Sequence, residues 1–147
     1  MVQTLKNAPV SRTSGRVGRL LRLATVVAAS LAGIVVWSIC VPVLGVDLGV
    51  GSGSAAQTVG PVSVLVVSLL GGVVAWMLLA VLERLFVRGR LIWQISGWAV
   101  LVLSLAGPAG LAQSTGALIG LIAMHLVVGS VLVVGLAWPP RAAARRF

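Results

Sequence analysis

One histidine, His125, lies in an otherwise apolar stretch, "IGLIAMHLVVGSV" (residues 119–131). Imidazole exchanges protons near neutral pH, so its chemistry here would be proton transfer, metal ligation or hydrogen bonding. An ionisable group inside an apolar segment indicates a functional site, unless a neutral ring hydrogen-bonds to a neighbouring helix. Ser68, Ser104, Thr115 or a backbone carbonyl are candidate partners for such a bond. We expect a neutral packing histidine first, and keep a proton-relay or ligand-binding histidine as the alternative.

Asp47 is one of two acidic residues in the chain, and it lies in the glycine-rich stretch "GVDLGV". Glycines on both sides let the backbone turn closely around the carboxylate, which favours a solvated turn residue. The alternative is a recognition surface formed by Asp47 and the polar residues of two loops. Those residues are Gln57, Thr58, Gln113, Ser114 and Thr115.

Glu83, the other acidic residue, stands at the start of the basic stretch "ERLFVRGR" (83–90). Opposite charges four or five residues apart in a short amphipathic turn predict a local salt bridge. Basic side chains beside a long apolar segment also predict contact with anionic lipid headgroups. The basic residues of this stretch are Arg84, Arg88 and Arg90.

Patterns typical of enzymes and cofactor sites are absent from the sequence. It has no GxSxG, HExxH or phosphate-binding GxxxxGK[ST] motif. With one histidine, and no cysteine or carboxylate at ligand spacing from it, no metal site is expected. The single cysteine, Cys40, excludes an intramolecular disulfide and is interpreted as a small apolar packing residue. We therefore predict a non-enzymatic protein without metal or cofactor.

The composition indicates that lipid, and not water, surrounds these residues. Of 147 residues, 59% are hydrophobic and 9% are charged, whereas soluble domains have roughly 25% charged residues. A bilayer core requires about 20 helical residues per crossing. Four uncharged segments meet that length, which predicts an all-α integral membrane protein. They are 23–44, 62–82, 91–112 and 117–138.

The basic residues predict the orientation of the four segments. All 11 Lys and Arg residues fall in 6–22, 84–90 and 141–146, and loops 45–61 and 113–116 contain none. Such asymmetry predicts that both termini are cytoplasmic. Short connections then give an up-down-up-down antiparallel bundle in the cytoplasmic membrane. Because the charges flank apolar segments, we expect contact with anionic lipid and no nucleic-acid binding. The predicted organisation is a basic tail 1–22, a four-helix domain 23–138 and a basic tail 139–147.

Small residues at helical spacing predict where the helices meet, since membrane helices associate through close packing. We expect these positions to pack the bundle, with docking of another membrane protein or a second copy as the alternative. Among the tryptophans, Trp98 is expected to pack between helices. Trp37, Trp76, Trp93 and Trp138 lie near the predicted membrane boundaries. The packing positions are Ala28, Ala32, Gly72, Ala75, Gly97, Ser104, Gly116 and Gly120.

Five stretches together resemble a family of small four-span membrane proteins of unknown function from high-GC Gram-positive bacteria. They are "VWSICVPVLGVDL", "QTVGPVSV", "LLAVLERL", "LSLAGP" and "MHLVVG". The resemblance covers residues 22–138 and implies architecture, but no activity. It makes Asp47, Glu83, Pro108 and His125 the positions to examine first.

Two functions of different classes follow from these observations. The first is a non-enzymatic accessory or protein-interaction component of the cell membrane, which fits the lack of catalytic motifs. The second is a small oligomeric transporter or proton-linked permease that uses His125. A membrane enzyme acting on lipid or quinone is a weaker third hypothesis.

Overall fold

The computed structural model describes residues 13–138. In this part of the chain, four helical segments are long and apolar enough to cross a membrane: Arg16–Val43, Pro61–Leu85, Gly89–Leu111 and Thr115–Ala137. The prediction of four helices that are long and apolar enough to span a membrane is therefore confirmed. Several basic residues of the predicted tails lie outside the described residues. They are Lys6, Arg12, Arg141, Arg145 and Arg146.

The first helix, α1 (Thr13–Ser38), begins well before the predicted segment 23–44. The helix therefore starts within residues 1–22, which the sequence assigned to a basic tail. Basic residues mark where a helix leaves the apolar layer, but they do not end it, since Arg has a high helix propensity. After α1 the chain continues in one π-helical turn, Ile39–Val43, around Pro42. The Leu44 amide donates to the Ile39 carbonyl at 3.0 Å, which closes this wider turn.

The remaining helices are α2 (Pro61–Leu85), α3 (Gly89–Ser104), α4 (Ala106–Leu111) and α5 (Thr115–Ala137). The sequence predicted a single helix over 91–112, whereas the structure divides it at Leu105 into α3 and α4. Pro108 explains the break, because it has no N–H to donate to the Ser104 carbonyl and its ring crowds that carbonyl. In the first turn of α4 the missing N–H is tolerated.

Two pairs of helices, α1 with α2 and α3 with α5, run antiparallel, as the contacts of four glycines show. A Cβ at Gly33 would lie 3.2 Å from Val64 Cγ1, and one at Gly72 would lie 2.6 Å from Val26 Cγ1. Residue numbers therefore rise along α1 as they fall along α2. The same holds for α3 and α5, where Gly97 faces Val133 and Gly129 faces Leu101. Close backbone approach at glycine is the expected way for membrane helices to associate.

The predicted packing positions differ from the structure mainly on α1. Ala28 is exposed and Ala32 is half-buried, whereas Ala29 and Gly33 are buried. The interface is therefore shifted by one residue from the predicted pair. Two small pairs lay side by side in the sequence, and apolar residues surround both, so the hydrophobic pattern did not distinguish them. Of the other positions, Gly72 and Gly120 are buried, and four are half-buried: Ala75, Gly97, Ser104 and Gly116.

Two apolar clusters fill the interior of the bundle, one towards each end. The first, here called the basic-end cluster, lies on the side of the arginines. It comprises Val26, Ala29, Leu79, Trp93, Leu132 and Leu136. The second, here called the loop-end cluster, comprises Cys40, Leu48, Val64, Leu121 and Met124.

The connection between α1 and α2 is folded against the end of the bundle. Strands β1 (Gly49–Val50) and β2 (Gln57–Thr58) pair antiparallel, and Leu48 just before them is fully buried. Trp37 Nε1 of α1 donates to the Val59 carbonyl at 2.9 Å, which fixes the far side of the connection. The Gly-Ser-rich composition had predicted only a loop. The buried leucine and the tryptophan bond explain why it is ordered.

Candidate functional site

Glu83 near the end of α2 holds two arginines from different parts of the chain. Arg22 of α1 donates from Nη2 to both carboxylate oxygens, at 2.8 and 2.7 Å. Arg90 at the start of α3 donates from Nε to Oε1 at 3.1 Å. This cluster of Arg22, Glu83 and Arg90, here called the ion cluster, therefore links α1, α2 and α3 at one end of the bundle.

The ion cluster is partly shielded from solvent and carries a net positive charge. The side chains of Arg22 and Glu83 are 21% and 26% exposed, and that of Arg90 is 46% exposed. Charge-assisted hydrogen bonds are shorter and stronger than neutral ones, and partial burial weakens their screening by salt. Two guanidinium groups against one carboxylate leave one positive charge uncompensated within the cluster.

The sequence predicted a salt bridge for Glu83, but it identified only part of it. Arg90 is a partner, as expected, whereas the exposed side chains of Arg84 and Arg88 make no ion pair with Glu83. The main partner, Arg22, lies 61 residues away. The sequence did contain one indication of this contact. The basic blocks 6–22 and 84–90 were predicted on the same side of the bilayer, and Glu83 is the acidic residue on that side. Spacing rules for one helix do not capture such a contact.

His125 makes its hydrogen bond within its own helix. Nδ1 lies 2.8 Å from the Leu121 carbonyl, and the side chain is half-buried. Because a carbonyl oxygen only accepts, Nδ1 carries the proton and a neutral ring leaves Nε2 as an acceptor. The expected bond to a neighbouring helix through Ser68, Ser104 or Thr115 is not what the structure shows. The alternative partner of the prediction, a backbone carbonyl, is the one observed.

The contacts between α3 and α5 place His125 beside the helix break. Gly97 faces Val133 and Gly129 faces Leu101, so each step along α3 matches a step back along α5. Continuing this register sets Leu105, where α3 ends, opposite His125. The imidazole therefore lies at the level where the Pro108 break weakens the helical hydrogen bonding.

Asp47 is exposed in the folded connection, and Gln57 and Thr58 on β2 are exposed beside it in the same connection. Gln113, also predicted for this surface, has a structural role. Its side-chain amide donates to the Gly51 carbonyl at 3.0 Å, and its backbone N–H donates to the Gly49 carbonyl at 3.1 Å. The surface available for recognition is therefore the outer face of the connection.

Ser114 has a structural role as well. Its hydroxyl accepts from the Ala117 N–H at 3.1 Å, which caps the start of α5. The short turn between α4 and α5 is thus joined to the folded connection on one side and to a capped helix on the other.

The ionisable residues of the candidate site do not converge on one point. No hydrogen bond or ion pair joins any two of Asp47, Glu83 and His125. Within residues 13–138, no group of three or more His, Cys, Asp or Glu side chains is placed to hold a metal ion. The ion cluster therefore lies at the basic end of the bundle, and the exposed face of the folded connection lies at the opposite end. His125 lies between them on α5.

Comparison with known proteins agrees with this description of the chain. A family model described as "Family of unknown function (DUF6069)" matches residues 13–142. Neither the curated proteins nor the solved structures contain a match. The resemblance to a family of unknown function is therefore confirmed, whereas bacterial origin stays a prediction.

Proposed function

We propose that this chain, which belongs to the DUF6069 family, is a non-enzymatic accessory or protein-interaction component of the cytoplasmic membrane. The observation that carries this proposal is the filled interior of the bundle. The basic-end and loop-end clusters occupy it with apolar side chains from one end to the other. A solute path within one copy would need polar groups or water along that interior. Function is therefore expected at the surfaces of the bundle.

The few polar side chains inside the bundle support the same view. Among the described residues, the buried polar side chains are Ser30 and Ser68. Ser30 Oγ donates to the Val26 carbonyl of its own helix at 3.0 Å. Such a bond satisfies the hydroxyl locally and leaves no row of polar groups for a substrate.

The folded connection between α1 and α2 supports an interaction role. A flexible linker would suffice to join two helices, yet this segment is tied down by a buried leucine, a small sheet and a tryptophan bond. It holds Asp47, Gln57 and Thr58 on its exposed side. A pre-ordered polar surface loses less conformational entropy on binding than a flexible one. We expect it to contact another membrane protein or a second copy of this chain.

The proposed topology is an up-down-up-down antiparallel bundle with both termini in the cytoplasm. The ion cluster and the exposed Arg84 and Arg88 lie at one end, and loops without basic residues lie at the other. Positive charge is concentrated in cytoplasmic loops of membrane proteins, which supports this orientation.

Labelling of introduced thiols tests this topology. In a Cys40→Ala background, we expect Ser52→Cys in the connection to react with a membrane-impermeant maleimide added to intact cells. Arg88→Cys, the matched position at the opposite end, is expected to react only after the cells are lysed. Both positions are exposed, so burial does not separate them. The opposite pattern would reverse the orientation and contradict the proposal.

Substitution of His125 separates the accessory function from the alternative, a proton-linked transporter. We expect His125→Leu to change the free energy of unfolding by less than about 1 kcal/mol, because the imidazole bond stays within one helix. We also expect the native chain and His125→Leu to give vesicles the same proton permeability under a pH gradient. His125→Gln, which keeps a side-chain donor, is the control for polarity. If a proton flux above that of empty vesicles is lost in a folded His125→Leu variant, the transporter is correct.

A further inference from the structure

A cavity of about 260 Å³ opens at the basic end between α1, α3 and α5. It is smaller than the roughly 300–1,000 Å³ of pockets that enclose drug-sized ligands, so it suits a single polar group. Four lining residues lie on one face of α1, and the others come from α3, α5 and the residue that follows α5. They are Gly18, Leu21, Arg22, Thr25, Arg90, Gly135 and Trp138.

Both arginines of the ion cluster line this cavity with donors that Glu83 does not use. A guanidinium group has five N–H donors. Arg22 contacts Glu83 through Nη2 and Arg90 through Nε, so most of their donors are not engaged by the carboxylate. Glu83 holds both groups in place but balances only one of their charges. The wall of the cavity therefore carries two guanidinium groups, which together have one positive charge more than Glu83 balances.

We propose that this cavity binds the headgroup phosphate of an anionic phospholipid. Guanidinium groups pair well with phosphate oxygens, and the Thr25 hydroxyl and the Trp138 ring complete a polar and aromatic rim. Leu21, which lines the cavity, and its chain neighbour Leu20 are exposed apolar side chains of α1, and we expect them to offer a surface for acyl chains. The headgroup of a zwitterionic lipid contains a cationic group beside its phosphate. The net positive charge of the ion cluster repels that group and disfavours binding of such a lipid. This inference rests on the proposed function only in placing the basic end at a membrane surface.

Lipid titration of the full chain in detergent, followed by native mass spectrometry, tests the proposal. The probes are phosphatidylglycerol, phosphatidylcholine with the same acyl chains, and inorganic phosphate. We expect phosphatidylglycerol to bind more tightly than phosphatidylcholine, and Arg90→Gln to weaken its binding about fivefold. Arg84→Gln removes the same charge at the same end but does not line the cavity, and we expect less than a twofold effect.

A second variant fills the cavity without changing its charge. Gly18 lines the cavity, and a Cβ added there would meet nothing within 4 Å. We expect the ring of Gly18→Phe to occupy the cavity and to weaken phosphatidylglycerol binding at least fivefold. Equal losses for Arg84→Gln and Arg90→Gln would overturn the site in favour of diffuse surface charge. Equal binding of both lipids, or complete displacement by millimolar phosphate, would overturn the assignment to an anionic phospholipid. Lipid binding in micelles does not depend on how the chain is oriented in a membrane. If thiol labelling shows the opposite orientation but the preference for phosphatidylglycerol is retained, the proposed topology is wrong and the lipid site still stands.

Discussion

Replacing Trp93 with alanine is expected to lower the free energy of unfolding by about 3 kcal/mol. Trp93 is 3% exposed and belongs to the basic-end cluster, where it packs with residues of α1, α2 and α5. Its Nε1 donates to the Val133 carbonyl at 3.1 Å, and Gln94 Nε2 donates to the same oxygen at 3.1 Å. Removal of the ring leaves a cavity and deletes one of these bonds. Between membrane helices such packing is the main attraction, so its loss is not offset by lipid.

Trp98 on the same helix provides a matched control. Its side chain is 42% exposed, and Trp98→Ala is expected to change the free energy of unfolding by less than about 1 kcal/mol. Trp93→Phe keeps an aromatic ring but removes the N–H donor, so it measures the contribution of the hydrogen bond. It is expected to lower the free energy of unfolding by about 1 kcal/mol. Pulse proteolysis along an SDS titration in dodecylmaltoside micelles measures all three variants. Equal losses for Trp93→Ala and Trp98→Ala would contradict the packing described here.

The two tryptophans illustrate what the sequence could not predict. Trp98 was expected to pack between helices, but it is 42% exposed, whereas Trp93, which was expected near the membrane boundary, is buried in the bundle. Five residues along a helix turn the side chain by about 140°, so at most one of the two faces the bundle. A helix in lipid is apolar on both its inner and outer faces, and the hydrophobic pattern that orients soluble helices is therefore weak. The choice depends on the register with α5, which only the structure supplies.

The helices themselves were predictable because the rule behind them is simple. Backbone groups in lipid must pair within the helix, and uncharged segments of 21 or 22 residues meet the thickness of a bilayer. The ends of the helices were less predictable. Charged residues mark where a helix leaves the apolar layer, but they do not mark where its backbone hydrogen bonding ends. The break at Leu105 followed from Pro108, whose effect on α3 was not anticipated.

The functional residues were identified by type but not by partner. Glu83 was selected for its charge, yet its contact with Arg22 joins residues 61 positions apart. His125 was selected for its position in an apolar segment, and its short-range bond to Leu121 was one of several partners considered. The folded connection after α1 was missed, because its order depends on the burial of Leu48 and not on the glycines and serines that dominate its composition.

Replacing Glu83 with glutamine is expected to lower the free energy of unfolding by about 2 kcal/mol. The substitution keeps the size of the side chain but removes the charge that balances Arg22 and Arg90. Arg22 is then left with a largely shielded guanidinium without its counter-charge, which costs more than the loss of an exposed pair. A fully buried pair would cost roughly 3–5 kcal/mol, and the partial exposure of this cluster reduces that value. The same SDS titration measures the effect.

A double-mutant cycle attributes this loss to the contact between α1 and α2. The double variant Arg22→Gln/Glu83→Gln is expected to lose less stability than the sum of the two single variants. It removes both charges of the pair, whereas each single variant leaves one charge without its partner. Arg84→Gln, which changes an exposed charge one residue away, is expected to cost less than about 0.5 kcal/mol. Additive single losses, or a Glu83→Gln effect no larger than that of Arg84→Gln, would show that the cluster does not stabilise the bundle. A double variant that loses less than the sum of the single losses would show that Glu83 holds the Arg22 guanidinium at the cavity. The stability of this end would then be linked to its affinity for an anion.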